Sequence, residues 1–394
     1  MIRTFQPIGQ GTFVTEQFEH GHNVVFDCGS MTSLPWTQKL IQTNFRQGEF
    51  IDGVFLSSID QEHAGGLETL MQWCQVQKVF VPYLEPDERG ATLLKYLCEG
   101  GQPDDFLATL ITNPKQALSA YRIPSYGVPV VTQVCQENEW EKNVFDKKMP
   151  MYLMPWKAVA GFRVYVDEDM DWIYQVQVYR QRADMERLTE CLTAHGVAGW
   201  IASAAILRRG WRQNPTRNEL TKAYAQVGQP FCAVSLAVYS GPERQEYPTY
   251  EQFTQKGQWT RRARVRSGSL YTGSLRLREQ QIRVQFQQHF QTYGSHTGCL
   301  LLPGHGTSAL FHQDVLPGRH SVVVAAADNE NLQCLPHGSV VRSVMDHRIP
   351  FYLVTELPGS TVRFAIKEAP HNCRQTEKGC NGNVYKKNGW EDSL

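Results

Sequence analysis

The chain has 394 residues, enough to bury one large core or two ordinary ones. Lys and Arg together number 39, as do Asp and Glu, so the formal net charge of zero excludes a global attraction to nucleic acid or membrane. The ten cysteines are scattered without a Cys-x-x-Cys, which argues against a zinc ribbon or a disulfide framework. We expect a cytoplasmic protein with reduced cysteines, no signal peptide and no membrane contact.

Short strands and helices alternate in the first part of the chain. GTFVTEQF at 11–18 and HNVVFDCGS at 22–30 predict a hairpin that turns at residues 20–22. The apolar run IDGVFLSS from residue 51 predicts a strand buried on both faces. GGLETLMQWCQVQ and KVFVPYL predict the helix and strand that follow. This order indicates an α/β layered fold.

The middle of the chain is less regular. Residues 161–181, GFRVYVDEDMDWIYQVQVYRQ, predict two strands that turn at residues 167–171. ADMERLTECLTAHG and TRNELTKAYAQVG predict helices, and FCAVSLAVYS predicts a strand. Residues 241–257 are polar and contain two prolines, which predicts a loop excursion.

The α/β alternation resumes from about residue 268 and ends before a polar, Gly- and Asn-rich tail. We therefore expect one domain over residues 1–367, with 136–225 and 241–267 as insertions or expansions. Residues 368–394 are expected to form a flexible C-terminal tail.

Four motifs occur in a fixed order: VVFDCGS, FLSSIDQEHAGGL, LYTGSL and LLPGHGTS. The series resembles the metallo-β-lactamase superfamily, most closely the hydrolase-like domain of the bacterial competence DNA-uptake channel. The resemblance covers about residues 6–85 and 228–367. It implies a metallo-β-lactamase-like αββα sandwich with an expanded middle region. In such a family, one or two zinc ions lower the pKa of a bridging water, which then attacks a phosphoester or amide.

The resemblance places the family's metal ligands on this chain only in part. In the loop that usually has the pattern His-x-His-x-Asp-His, Ser58 and Asp60 take the places of the first two histidines. Glu62 takes the place of the aspartate, and His63 keeps the last histidine. Ser274 falls where a bridging aspartate is expected.

Two later positions complete the comparison. His305 keeps the histidine of the His-Gly-Ser loop, and His337 takes the family's late His-Pro position. The resemblance also implies that Asp27 hydrogen-bonds the metal loop from outside the ligand set.

The four ligand candidates that remain, which would also be the catalytic residues, are Asp60, Glu62, His63 and His305. This oxygen-rich set suits Mg²⁺ or Mn²⁺ better than a two-zinc centre. We expect a metal-free remnant without a cofactor, and the alternative is one weakly bound divalent ion (Zn, Mg or Mn). A purely structural interpretation of His63 is that it caps the helix beginning at Ala64.

A second candidate site is basic. Arg262, Arg264 and Arg266 alternate in RRARVR and would share one face of a strand. With the arginines of LRRGWRQNPTR, they would form a nucleic-acid-binding patch that includes Trp211 and Trp259. A solvated strand paired with acidic neighbours is the preferred interpretation. His371, Cys373 and Cys380 give a weak zinc pattern, and a loose tail is preferred there.

Three functions are compatible with these features. The preferred hypothesis is a catalytically degenerate protein that binds or senses as a subunit of a bacterial multi-protein system. The resemblance extends this to antiviral defence and to other subunits of one system as partners. The second is an active metal-dependent hydrolase, a phosphodiesterase on nucleic acid or nucleotide. The third is a nucleic-acid-binding module that uses residues 261–266.

Overall fold

The computed structural model describes residues 1–121, 127, 129–136, 148–228, 230–244, 246–253, 258–261, 265–330 and 334–367. Its strands, in chain order, are β1 Ile2–Phe5, β2 Gly11–Gln17, β3 Asn23–Ser30, β4 Phe50–Ile51, β5 Gly53–Phe55, β6 Gln75–Val76, β7 Lys78–Pro82, β8 Val130–Cys135, β9 Lys148–Pro150, β10 Lys157–Val159, β11 Arg163–Tyr165, β12 Trp172–Arg180, β13 Val234–Pro242, β14 Thr249–Phe253, β15 Gln258–Arg261, β16 Gly268–Tyr271, β17 Thr297–Leu301, β18 Val322–Ala326, β19 Phe351–Val354 and β20 Val362–Ile366.

The helices are α1 Leu34–Asn44, α2 Gln61–Ala64, α3 Leu67–Trp73, α4 Pro86–Cys98, α5 Phe106–Thr112, α6 Pro114–Ser119, α7 Arg182–Ala194, α8 Ala204–Trp211, α9 Asn214–Val227, α10 Gln280–Phe290 and α11 Gly338–Asp346. Short 3-10 segments occupy Met151–Leu153, Ala198–Ala202, Gln291–Tyr293, Pro303–Gly306, Gln313–Val315 and Pro358–Ser360.

Within these residues, two large sheets dominate the fold. The first has ten strands in the order β10-β8-β7-β5-β3-β2-β1-β20-β14-β15. The second has eight, in the order β19-β18-β17-β16-β13-β12-β11-β9. Strands β3, β5, β7 and β8 run parallel, as expected where helices connect them.

The two sheets face each other across an aromatic core. Phe26 of β3 lies 5.3 Å from Phe55 of β5 and 3.9 Å from Tyr271 of β16, between ring centroids. Phe55 in turn lies 5.5 Å from Tyr174 of β12. Because each sheet turns one side to the other, the helices must cover the outer sides.

Helices supply both outer layers. α1 and α3 pack against β3 of the first sheet. On the second sheet, Phe286 of α10 and Val344 of α11 join a separate buried cluster with Leu300 and Val323. This layering confirms the αββα sandwich expected from the sequence.

Several expected elements are confirmed in detail. β2 and β3 form the first hairpin, and β11 and β12 form the antiparallel pair around residues 167–171. The segment 136–225, expected as an insertion, contributes β12 to the interior of the second sheet, where it pairs with β13 along nine residues. The division of the chain into a domain with insertions stays a prediction.

The expectation of a loop throughout residues 241–257 was wrong. β14, Thr249–Phe253, pairs with β20 and extends the first sheet. The polar composition concealed it, but both prolines, Pro242 and Pro248, precede the strand and leave its hydrogen-bonding intact. The tail at 368–394 lies outside the described residues. In the part of the chain that is described, no helix combines the length and apolar character needed to cross a membrane.

Candidate metal centre

The loop after β5 is fixed to the end of β3 by a buried carboxylate. Asp27 accepts hydrogen bonds from the backbone N–H of Ser57 at 2.6 Å and from the Ser57 hydroxyl at 2.8 Å. Burial raises the pKa of Asp27 to about 6, although the neighbouring His63 opposes the shift. A Cβ at Gly29 would lie 2.5 Å from the carbonyl oxygen of Gln61, so only glycine allows the loop this close to β3.

Asp60 begins the short helix α2 and orients the first histidine. Its side chain accepts from the backbone N–H of His63 at 3.2 Å and contacts His63 Nδ1 at 2.6 Å. Asp60 is therefore the N-cap, and the interpretation of His63 as the cap was wrong, because His63 lies within the helix. The ring of His63 is fixed through Nδ1 and presents Nε2 on its opposite side.

The second oxygen of Asp60 is also engaged. Lys95, on α4, donates from Nζ to Asp60 Oδ2 at 2.8 Å, and both residues are buried. Burial alone would raise the pKa of Asp60, but the charges of His63 and Lys95 hold it well below its usual range. The structure thus places Asp60 beside His63 as a hydrogen-bond acceptor, with both oxygens occupied.

His305 lies in a turn that follows β17. Its backbone has φ 60° and ψ 20°, and Gly304 before it has φ 48°, so two successive residues adopt left-handed conformations. That conformation is unfavourable for histidine and is a mark of functional sites. His305 Nδ1 lies 2.9 Å from the carbonyl oxygen of Ala326. Because a carbonyl only accepts, Nδ1 carries the proton, and Nε2 is left for the cleft.

Glu62 meets His305 at the mouth of this cleft. Glu62 Oε2 lies 3.3 Å from His305 Nε2, and Gln10 donates to Glu62 Oε1 at 3.1 Å. Burial alone would raise the pKa of Glu62, but His305 and Lys95 lower it to about 2. The carboxylate of Glu62 therefore faces Nε2 of His305. The single N–H of the neutral ring is at Nδ1 and is already donated on the other side of the ring. Either a proton on Nε2 or a bound metal ion between them would complement the charge of the carboxylate.

Among the described residues, three side chains converge on one point. Glu62, His63 and His305 each offer a ligand atom, and these atoms all lie within 4.8 Å of one another. The two imidazole rings lie 6.1 Å apart between centroids, at 25°. Two imidazoles and a carboxylate are a known ligand set for a catalytic zinc ion with an open fourth position. The donor set thus fits one divalent cation.

Ser58 and Ser274 stand where the resemblance leads us to expect metal ligands, but neither side chain is an imidazole or a carboxylate. Ser58 Oγ lies 3.7 Å from Cys232 Sγ. Ser274 donates its backbone N–H to Ser235 Oγ at 3.2 Å. Both serines are buried. A neutral hydroxyl does not compensate for a lost imidazole or a bridging carboxylate.

Two of the remaining candidates, His337 and Arg266, lie among the described residues and make other contacts. His337 is exposed and caps α11 through Ser339, while its backbone N–H donates to the carbonyl of Gly306 at 3.0 Å. Arg266 lies beyond β15, outside any strand, and donates to the Gly294 carbonyl at 3.0 Å. Five other candidates lie outside the described residues: Arg262, Arg264, His371, Cys373 and Cys380. The nucleic-acid interpretation stays a prediction.

Lys95 is one of two residues of this site that the sequence analysis missed. Its signal is a single cation inside the apolar helical run TLLKYLC, where Leu93, Leu94 and Leu97 are all buried. Gln10 was missed as well. Nothing in its local sequence distinguishes it, since its contact with Glu62 spans 52 residues.

No family model matches the chain, and no curated protein matches it. Solved structures that resemble it include several metallo-β-lactamases. One from Cronobacter sakazakii (Enterobacter sakazakii), with a HARLDQ motif, is 13% identical over 88% of this chain and 91% of its own length, with a TM-score of 0.30. MEM-A1, a subclass B3 enzyme isolated from a soil metagenome library, is 12% identical over 75% of this chain and 76% of its own, with a TM-score of 0.28.

A third, MIM-1 from Novosphingobium pentaromativorans, is 8% identical over 76% of this chain and 75% of its own, with a TM-score of 0.31. Similarity at this level transfers neither an activity nor a site residue to the chain, because one fold hosts many chemistries. The function has to be argued from the side chains themselves.

Proposed function

We propose that this chain is a metal-dependent hydrolase that works with a single divalent ion held by Glu62, His63 and His305. The convergence of their three ligand atoms within 4.8 Å is the observation that carries the proposal. The expectation of a metal-free remnant stays a prediction, and we prefer one bound ion because two imidazoles and a carboxylate converge there.

The hydrogen bonds around the ligands support this function. His63 Nδ1 is held by Asp60, and His305 Nδ1 by the Ala326 carbonyl. Carboxylates and carbonyls in such positions fix the tautomer of a ligating histidine and increase its basicity. With Asp60 engaged elsewhere, two nitrogens and one oxygen remain, which favours Zn²⁺ over Mg²⁺.

A bound divalent ion would supply Lewis acidity and lower the pKa of a coordinated water. The chain's own residues hold the ligands in place: Gln10 orients Glu62, and Asp60 orients His63. We propose a phosphodiester of nucleic acid or nucleotide as the substrate. Its support is the resemblance of the ordered sequence motifs to the competence-channel branch.

The test is metal analysis combined with hydrolysis of bis(p-nitrophenyl) phosphate by the full chain. The wild type should carry about one equivalent of zinc and hydrolyse the diester. His63→Ala should lose both, whereas His347→Ala, an exposed histidine at the end of α11, should keep both. A wild type that stays metal-free in excess zinc, or a His63→Ala variant with unchanged metal content, would contradict the proposal.

A second candidate is the degenerate subunit of a bacterial multi-protein system, possessing the fold without the reaction. The buried serines at positions 58 and 274 favour it, since they remove ligands that a two-ion centre needs. Its partners would be other subunits of that system, in antiviral defence if the resemblance holds. Bound zinc without turnover of any diester or β-lactam, together with co-purifying subunits, would select this candidate.

A further inference from the structure

Lys95 is a buried cation on an otherwise apolar stretch of α4. It is 7% exposed, and its neighbours Leu94 and Leu97 are 0% and 3% exposed. A charged ammonium in such surroundings persists only with a close counter-charge. Asp60 Oδ2 supplies it at 2.8 Å, from a loop 35 residues earlier in the chain.

The loop that contains Asp60 also contacts a buried thiol. Cys232 Sγ lies 3.7 Å from the hydroxyl of Ser58, two residues before Asp60. Burial raises the pKa of the Cys232 thiol to about 12, and the charge of Lys95 acts in the opposite direction. Burial also raises the pKa of Glu99 to about 7, again opposed by Lys95.

Asp60 links this environment to the proposed metal ligands. Its Oδ1 contacts His63 Nδ1 at 2.6 Å while its Oδ2 accepts from Lys95. A carboxylate that accepts three hydrogen bonds, two from His63 and one from Lys95, has little remaining capacity for a metal ion. The ammonium therefore neutralises Asp60 without competing for Glu62, His63 or His305.

We propose that the Lys95 ammonium occupies a second cation position beside the single-ion site and limits the chain to one divalent ion. The inference rests on the proposed function and concerns what keeps a second ion out, which that function leaves unexplained. Lys95 is a positioning residue in this scheme: it holds Asp60, which holds His63. Without the ammonium, Asp60 and Cys232 would be free to bind a further zinc ion, since thiolate and carboxylate both ligate zinc.

The experiment counts zinc ions bound by the full chain and its variants, with a chromophoric chelator as competitor. The wild type should bind one Zn²⁺ at this locus. Lys95→Gln should bind one more than the wild type, whereas Lys95→Arg, which keeps the charge, should match the wild type. Adding Cys232→Ser to Lys95→Gln should remove the extra ion, which separates it from zinc held by other cysteines.

The outcomes are distinguishable. No zinc on the wild type overturns the proposed function and this inference with it. Equal stoichiometry in the wild type and Lys95→Gln overturns the inference alone, as does an extra ion already present on the wild type. If Lys95→Gln folds only when zinc is present, the number of zinc ions bound per chain after refolding in zinc tests the inference in the same way. The double variant Lys95→Met with Asp60→Asn loses both charges and should bind no extra ion.

Discussion

The imidazole of His305 and the carbonyl oxygen of Ala326 are joined by a hydrogen bond of 2.9 Å, which fixes the face that His305 turns to the cleft. The bond reaches from the strained turn after β17 to the end of β18. It commits Nδ1 to the protein interior and leaves Nε2 beside Glu62. The same arrangement, with Asp60 in place of the carbonyl, holds His63.

Replacing His305 should strongly weaken zinc binding while leaving the fold intact. His305→Ala removes one of the three ligands, and we expect zinc affinity to fall at least about a hundredfold. Even replacing a residue that only hydrogen-bonds a ligand lowers metal affinity about 10–100-fold. Competition titration measures this change. The exposed His320→Ala serves as a control and should bind zinc as the wild type does. Equal affinities for the two variants would rule out His305 as a ligand.

Asp27 should stabilise the fold in two ways, through its backbone conformation and through its side-chain carboxylate. Its φ of 51° is tolerated by Asn but is unfavourable for Ala. Asp27→Asn keeps an acceptor for Ser57 and should cost about 1 kcal/mol. Asp27→Ala loses both hydrogen bonds and should cost about 2–4 kcal/mol, measured by urea unfolding. Equal losses would show that the hydrogen bonds to Ser57 contribute little.

Lys78 should make the protein more stable as the pH rises above 8. Its ammonium is buried with one acceptor, the Met154 carbonyl at 2.6 Å, and burial lowers its pKa to about 8 from the usual 10.5. Below pH 8 both states are protonated, and the cost of burying the charge is fully present. Between pH 8 and 10.5 the folded state loses its proton first, so the unfolded state binds more protons and stability increases.

The measurement is the free energy of unfolding at pH 7, 8.5 and 10 for the wild type and Lys78→Met. The variant should be more stable at pH 7, and its advantage should shrink towards pH 10. Lys39→Met, at an exposed position, controls for other titrating groups and should follow the wild type. An advantage that is constant with pH would mean that Lys78 is not buried as a charge.

The ion pair between Arg3 and Glu16 should be the most sensitive polar contact of the core. Arg3 Nε lies 2.7 Å from Glu16 Oε1, and both side chains are inaccessible to solvent, at 2% and 0%. Glu16 also accepts from the hydroxyls of Tyr174 and Tyr271, which belong to the opposite sheet. Glu16→Gln leaves the Arg3 charge unpaired and should cost about 3–5 kcal/mol of unfolding free energy.

A surface pair of similar length provides the comparison. Arg212 and Asp104 lie 2.8 Å apart, but each is 63% exposed. Asp104→Asn should therefore cost less than about 1 kcal/mol. Chemical denaturation of both variants tests the difference. Comparable losses would show that burial does not govern the strength of these pairs.

The layering of the fold and part of the site could be predicted from local sequence. Strand β3 and the loop that contains His63 were found because apolar runs and Gly-rich turns are local signals. Glu62, His63 and His305 were named as candidates through the resemblance of the ordered motifs to the metallo-β-lactamase superfamily. The role of Asp60 was not predictable, because it depends on Lys95, whose contact comes from tertiary packing of α4 against the loop.

Other differences have the same origin. Polar residues 249–253 form a strand because β20 supplies backbone partners, and side-chain composition does not record those. Likewise, the oxygen-rich character ascribed to the ligand set came from counting Asp60 as a free carboxylate. Its hydrogen bonds with His63 and Lys95 change the donor set to two nitrogens and one oxygen.

Strand β1 lies between β2 and β20, so residues 2–5 pair directly with residues 362–366. Such contacts between distant segments cannot form until nearly all of this sequence has left the ribosome. Until then, the edges of β1 and β14 that pair with β20 are unpaired, and such edges promote aggregation. For the same reason, neither half of the sandwich should be obtainable as a separate, stably folded fragment.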